Sequence, residues 1–358
     1  LEVDVLVVGG GPAGSTTARF CAARDLDVVM IDRRTEIGHP VQCGELLPHT
    51  EEMYSIFPQS ENLEELFSID RSHISGESES IVLVSPRGRH YRLDFRSHTL
   101  NRRSFDKWLV GLAVEAGATL RTSTSFLSLD GDVVRTDRGD IRAKVVVGAD
   151  GPNSTVARAA GLGGPRLLYP TITCQAEGSF DKEVMMYFGG IAPGGYAWII
   201  PKDEGANVGV GFNPALCSRR PSDMLTEFTA LHGIEHHDRT LGLVPMQGPL
   251  PRTVSGRVLL VGDAAGHTMA TNGGGIPTAM IAGRAAGAAV SAHLRRGAPL
   301  SDYETAWRRS MERQLNDSVK ARRLADRFFG NDLLLAMAMR VLGRRGLDRT
   351  IRCKRIPF

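Results

Sequence analysis

The chain has 358 residues, 42% of them hydrophobic, 40 glycines and a formal net charge of +3, which excludes a disordered or fibrous chain and suits a soluble enzyme with a large core. Its five cysteines, Cys21, Cys43, Cys174, Cys217 and Cys353, lack CxxC or His-Cys spacing, so neither a metal site nor a disulfide framework is expected. No run of about 18 apolar residues could span a membrane, and Leu1 to Gly9 lacks the basic and apolar regions of a signal peptide, so a cytoplasmic location is expected.

The first element is a strand running into DVLVVGGGPAG, Asp4 to Gly14. Gly9 permits a tight turn, Gly11 lets the backbone approach a pyrophosphate, and Gly14 lets a helix starting at Ala13 pack on the strand. That helix is expected to reach Arg24, and a second strand from Asp27 to Ile31 ends on Asp32. An acid about 20 residues past the glycines accepts hydrogen bonds from an adenosine ribose, so Asp32, with Arg33 beside it, belongs to an expected nucleotide site.

An irregular segment containing PVQCGELLP follows, then mixed β structure from Ser72 to Leu93. Asn101 is the N-cap of a helix over Arg102 to Gly117, whose stripe is Phe105, Leu109, Leu112, Ala113 and Ala116. Strands follow near Thr119–Arg121, Phe126–Leu129, Val133–Thr136 and Val145–Val147, the last within KVVVGADGPNS, which ends on Asp150-Gly151. Thr171 to Phe212 reads as strands broken by glycine and proline, an antiparallel sheet forming a second domain. RVLLVGDAAGHTMATNGGGI, Arg257 to Ile276, is a strand ending on Gly262-Asp263 before a glycine cluster, and helices run from Pro277 onward. The expected fold is α/β. A discontinuous Rossmann-like domain (1–48, 97–165, 250–300) carries an inserted antiparallel sheet domain (49–96, 166–249) and a C-terminal helical segment (301–358).

The three glycine-rich motifs together resemble the flavoprotein group that includes para-hydroxybenzoate hydroxylase. The resemblance implies FAD as cofactor, with Asp150 in the middle motif, Asp263 on the ribityl chain, and Gly274, Gly275 and Ile276 beside the isoalloxazine. Within that group, GYAWIIPKDEGANVG (Gly195 to Gly209) and PVQCGE (Pro40 to Glu45) resemble the geranylgeranyl reductase family and its YxWxFP and PxxCG motifs, Ile200 replacing the usual Phe. The family implies saturation of isoprenoid double bonds, most closely those of archaeal-type ether phospholipids. It also implies that Arg102 meets the ribityl chain or pyrophosphate, that Phe126 offers its backbone to adenine, and that Cys43, Gly44 and Leu46 line the flavin, with direct catalysis by the Cys43 thiol as one role.

Strand alternation puts Tyr196 and Trp198 on one face, with Ala197 and Ile199 on the other. As a lining of the site, the two aromatic faces would stabilise positive charge on a tertiary carbon during alkene reduction; as core aromatics, they would only need their polar tips satisfied. The scattered histidines read as structural, His267 being the one that could approach a flavin. No second Rossmann fingerprint is present, so NAD(P)H docks transiently or a ferredoxin-like protein donates electrons. From Ala321 to Phe358, ten basic residues stand against three acidic ones, a formal +7, leaving −4 on the rest. With Phe328, Phe329 and Leu333 to Met339, this segment reads either as a peripheral membrane contact or as a helix pair capping the core. No recognition motif accompanies the charge, so nucleic acid is not an expected partner. The competing readings are a non-catalytic flavin or lipid carrier, and a flavin monooxygenase or halogenase, whose WxWxIP motif is close to YAWIIP. Against the latter, no lysine precedes Lys107, where halogenases place theirs, and Ala157 stands where hydroxylases usually carry Arg.

Overall fold

The computed structural model describes residues 1–355, so the last three residues of the expected C-terminal segment lie outside the described residues. The chain opens β1 (Glu2–Val8), α1 (Pro12–Ala22), β2 (Val28–Ile31), β3 (Leu46–Pro48), α2 (Thr50–Ile56), α3 (Glu64–Phe67), β4 (Ile74–Val84), β5 (His90–Leu100) and α4 (Arg102–Glu115). It continues β6 (Thr119–Arg121), β7 (Phe126–Asp130), β8 (Val133–Thr136), β9 (Ile141–Gly148), α5 (Thr155–Ala159), β10 (Leu168–Ala176), β11 (Val184–Tyr187), β12 (Tyr196–Lys202) and β13 (Gly205–Gly211). The remainder is α6 (Pro221–Leu231), β14 (His236–Pro245), β15 (Val254–Ser255), β16 (Val258–Leu260), α7 (Ile276–Arg296), α8 (Asp302–Trp307), α9 (Arg313–Ala325) and α10 (Asp332–Ile351). The Asn101 side chain caps α4 by accepting from the Ser104 N–H. The helix stops two residues short of the expected Gly117, whose φ of +111° turns the chain out of the helical region.

One sheet has the order β15-β16-β9-β1-β2-β6, with β8 and β7 added on β9. Its centre is parallel, β1 pairing with both β2 and β9, and β9 with β16. Val5, Val7, Val28 and Met30 join one core, and Leu6, Val8, Val29 and Ile31 another. Both faces are therefore covered, as a parallel sheet requires.

The second sheet has the order β14-β10-β13-β12-β11-β4-β5-β3. The expected antiparallel pattern holds except between β11 and β4, which run parallel. These two are separated by the nucleotide-binding segments, so no hairpin forces them antiparallel. β3 and β5 belong to this sheet, so the expected boundaries at 48 and 97 cut into strands of the second sheet. Trp198 and Ile200 enter the main core, while Ala197 and Ile199 pack with Met224, Leu225 and Phe228 of α6.

The C-terminal helices are bonded onto the first sheet: Tyr303 donates to the Leu260 carbonyl at 2.7 Å, and the Trp307 indole to Thr253 at 3.0 Å. No helix among the described residues is long and apolar enough to cross a membrane.

α7 lies directly on α1 through two glycines one turn apart. A Cβ on Gly283 would come within 2.8 Å of the Ala13 carbonyl, and one on Gly287 within 2.5 Å of Phe20 Cβ. Gly287→Leu should therefore lower stability by about 1–3 kcal/mol through overpacking, read as the urea midpoint at constant m. An unchanged midpoint would show that the two helices can part freely.

Candidate active site

Gly9 adopts φ +110°, and a Cβ there would lie 2.3 Å from the Ala149 carbonyl oxygen. At Gly14 a Cβ would lie 1.9 Å from the Gly9 oxygen, so both positions require glycine. Nothing stands within 4 Å of where a Cβ on Gly11 would be, which leaves room for a ligand against that backbone. Gly11 caps α1 without a side-chain acceptor and Pro12 opens the helix. The first-turn N–H groups of Ala13 and Gly14 thus have no partner within the helix and suit a pyrophosphate.

Asp32 is held in place rather than free: Oδ2 accepts from the Gly10 N–H and Oδ1 from the Arg34 N–H, each at 2.8 Å. Its remaining lone pairs can take ribose hydroxyls. The neighbouring Arg33 is exposed. Thr124 and Ser123 donate to the Asp32 and Arg34 carbonyls at 2.9 Å, bringing the approach to Phe126 to this edge, while the Phe126 ring is buried in the sheet's core. The Asp150 carboxylate accepts from Ser154, Thr155 and the Val156 N–H and so caps α5. The Asp150 backbone N, next to Ala149, lies against the Gly9 turn, while its side chain is turned away to α5.

At the other end, Asp263 accepts from Thr268 at 2.9 Å, and its second oxygen has no donor among the described residues. Burial raises its pKa, opposed by the Thr268 hydrogen bond and the nearby Arg102 charge. A Cβ on Gly275 would sit 3.1 Å from Asp263 Oδ1, so this carboxylate lies at the start of α7, which Gly275 opens without a side-chain cap and Ile276 begins. Gly274 is bound to the same loop, its N–H donating to Asn272 Oδ1 at 2.9 Å. Arg102 makes two 2.8 Å bonds to Asp106. Burial works against its charge, but Asp106 and Cys43 outweigh burial and raise its pKa. Arg102 is thus a paired cation beside Asp263 and Cys43.

Separate segments meet beside the start of α7. Cys43 Sγ accepts from the Glu45 N–H at 3.1 Å, and Glu45 has φ +67°. A Cβ on Gly44 would meet Ile200 Cδ1 at 3.2 Å and Trp198 Nε1 at 3.5 Å, so the cysteine loop lies against β12. Leu46, half-buried, packs on the main core. Tyr196 and Trp198 meet edge to face at 5.8 Å, and Phe188 stands 5.8 Å from Tyr196. The Tyr196 hydroxyl donates to the Asn272 carbonyl, tying β12 to the glycine loop before α7. Burial, with Cys43 alongside, pushes the Tyr196 pKa up.

Sequence reasoning assigned no role to Glu45, Asn207 or Gly209, although all three lie within the quoted motifs. A Cβ on Gly209 would fall 2.2 Å from Trp198 Cζ2, so this glycine makes room for the indole. His267 is fully buried against Trp307 with ring centroids 4.5 Å apart, and burial pushes its pKa down to about 3. It is a neutral core residue. Among the described residues no group of His, Cys, Asp and Glu could hold a metal ion.

Residues 2–175 match the family model described as FAD binding domain, and residues 169–244 the model described as geranylgeranyl reductase catalytic domain. A digeranylgeranylglycerophospholipid reductase of Methanothermobacter thermautotrophicus is 34% identical over 91% of this chain and 88% of its own. The crystal structure of a geranylgeranyl bacteriochlorophyll reductase-like protein from Thermoplasma acidophilum superposes with a TM-score of 0.80 at 26% identity, over 95% of this chain and 98% of that one. The flavin-dependent brominase Bmp2, as a triple mutant, shares the fold with a TM-score of 0.73 at 17% identity, over 98% and 95% of the two chains.

The fold and the glycine-lined groove are those of a FAD-dependent flavoprotein oxidoreductase. Within that class the chain belongs to the geranylgeranyl reductase family.

Asp263→Ala should lower FAD retention by about 1.5–3 kcal/mol, the contribution of a hydrogen bond to a charged group. Equilibrium dialysis of the released flavin checks this; wild-type affinity would show that the ribityl chain is held elsewhere.

Proposed function

We propose that this enzyme saturates the carbon–carbon double bonds of geranylgeranyl chains on archaeal-type ether phospholipids, in membrane-lipid biosynthesis. The observation that carries the reading is the meeting of the Cys43 loop with the Phe188, Tyr196 and Trp198 rings at the start of α7. Bound FAD supplies the hydride equivalent at this place. The polar tips of the wall are already committed, Tyr196 to the Asn272 carbonyl and Trp198 to Asn207 Oδ1 at 2.8 Å. With those tips bonded inward, what the rings can offer a substrate is apolar edge and π face, suited to an alkene carbon that becomes electron-poor as its neighbour is protonated. The Cys43 sulfur accepts the Glu45 N–H at 3.1 Å and lies close enough to Arg102 to help raise its pKa; its thiol is the group we assign to deliver a proton to the alkene. Electrons reach the flavin from transiently docked NAD(P)H or a ferredoxin-like donor.

The enzyme contacts the membrane peripherally through α10. Leu333, Leu334, Met337 and Val341 are exposed on its first part, Val341 by 81%, Arg340 is exposed on the same stretch, and Arg344 and Arg345 are exposed just past the break in the helix at Gly343. Such a pairing of apolar and cationic groups matches an anionic lipid surface. The start of α10 also adjoins the aromatic row: a Cβ on Gly189, next to Phe188, would lie 2.9 Å from Asp332. Met337→Glu with Val341→Glu should weaken partitioning onto anionic vesicles by about tenfold or more, since each buried methylene contributes about 0.8 kcal/mol. Undiminished co-sedimentation would assign α10 to another surface.

Trp198→Ala should leave FAD bound while slowing anaerobic flavin reoxidation by a geranylgeranyl lipid. Trp198→Phe, which keeps a π face, should fall between wild type and Ala, with barrier losses of about 1 kcal/mol. Equal rates in all three proteins at saturating substrate would make the YAWIIP segment core packing only.

A further inference from the structure

Asn207, at the middle of β13, is 0% exposed and fills its entire hydrogen-bonding capacity. Its carbonyl oxygen accepts from Trp198 Nε1 at 2.8 Å and from Thr173 Oγ1 at 2.8 Å. Its amide nitrogen donates to the Cys43 carbonyl at 3.0 Å and to Glu45 Oε2 at 2.9 Å. The indole N–H can only donate and the Cys43 carbonyl and Glu45 carboxylate only accept, so a reversed amide would break three of the four bonds and the orientation is determined by its surroundings.

Behind it stands a buried charge. Glu45 is 2% exposed and pairs with Lys202 at 2.6 Å. It also accepts from Gln175 Nε2 at 3.1 Å and from the Arg102 N–H at 3.3 Å, while Lys202 donates to Gln175 Oε1 at 2.8 Å. A buried carboxylate with this many donors is fixed in place, because any shift leaves a buried polar group unpaired.

Asn207 therefore bonds at once to the Cys43 loop and to the Trp198 indole, which are otherwise tied only indirectly, through the Glu45–Lys202 pair at the far end of β12. The Cys43 carbonyl is 164 residues away in sequence and lies in a segment without regular structure. Trp198 is on the neighbouring strand, in register with Gly209. We propose that Asn207 is a positioning residue of the reductase: it sets the separation between the Cys43 loop and the Trp198 indole, so that thiol and aromatic wall address the same double bond. This inference rests on the reading of Cys43, Tyr196 and Trp198 as the reactive face. A polar residue serving the fold alone would affect stability; a clamp also controls how freely the cysteine loop moves and how fast bound substrate reacts.

Asn207→Asp keeps the shape and both acceptor positions but removes the donors that face Cys43 and Glu45. In the FAD-loaded enzyme, Cys43 alkylation by iodoacetamide, followed by peptide mass spectrometry, should quicken about tenfold or more. The kcat for anaerobic reoxidation by a geranylgeranyl lipid should fall about tenfold, with KM changed less than about threefold. Should that variant lose FAD, Thr173→Val removes a single bond from the carbonyl side and should shift both readouts the same way by less. Wild-type alkylation rates in the folded variant would overturn the proposal, as would faster alkylation with kcat unchanged or a lost kcat without faster alkylation. Failure of the wild-type flavin to be reoxidised by an isoprenoid would instead overturn the reading of the reactive face, and the alkylation rates would still decide whether Asn207 holds the loop.

Discussion

The register of the parallel strands is the constraint on which the rest depends. Val8 of β1 is level with Ile31 of β2 and with Gly148 of β9, and Gly148 is level with Leu260 of β16. Four strand ends therefore lie at one edge, and the chain leaves each of them into a motif: Gly9 to Gly14, Asp32, Asp150 and Asp263. Hydrogen bonds across these exits then fix their relative places. Ala149 donates to the Val8 carbonyl at 2.8 Å, Gly9 to Ile31 at 2.8 Å and Val261 to Gly148 at 2.9 Å. A slip of one residue in any pair would send each side chain of a strand into the opposite core, and it would also separate the parts of the cofactor groove.

This edge was largely legible in the sequence because each motif reports on its own local geometry. A strand followed by closely spaced glycines and an acid carries its conformation in neighbouring residues, so the fingerprint, the N-cap at Asn101 and the alternation of Tyr196 and Trp198 could be read directly. Contacts between distant segments could not. The parallel pairing of β4 with β11, the bond from Asn207 to Cys43 and the ion pair of Glu45 with Lys202 join stretches whose proximity no local pattern reports. Asp150 and Arg102 show the same limit in another form. Their motifs put them near the cofactor, yet their side chains are committed to α5 and to Asp106, and which partner claims a side chain is settled by packing.

The same scaffold in a brominase-like neighbour and in this family separates what the fold supplies from what the site supplies. The fold supplies a glycine turn, two uncapped helix starts and a carboxylate with one oxygen free. These features recognise a flavin dinucleotide whatever reaction follows. The second sheet supplies the face above it. There the polar tips of Tyr196 and Trp198 are bonded inward, to the Asn272 carbonyl and to Asn207, so neither ring presents a free hydrogen-bond donor.

That inward bonding also explains why the Cys43 segment stays against β12 without regular structure of its own. Side chains end on backbone acceptors of distant segments: Tyr196 on Asn272, Asn207 on Cys43, and Asn272, through its side-chain amide, on Ile351 at 3.0 Å. The last of these reaches the C-terminal part of α10, beyond the break at Gly343 that separates it from the exposed ridge at 333–341. A displacement of these last turns would pull on the loop that receives the Tyr196 hydroxyl, because buried polar contacts of this kind move together or break at the cost of an unpaired group. β12 and the end of α10 thus share one chain of hydrogen bonds, and the position of the Tyr196 ring depends on how that end is seated.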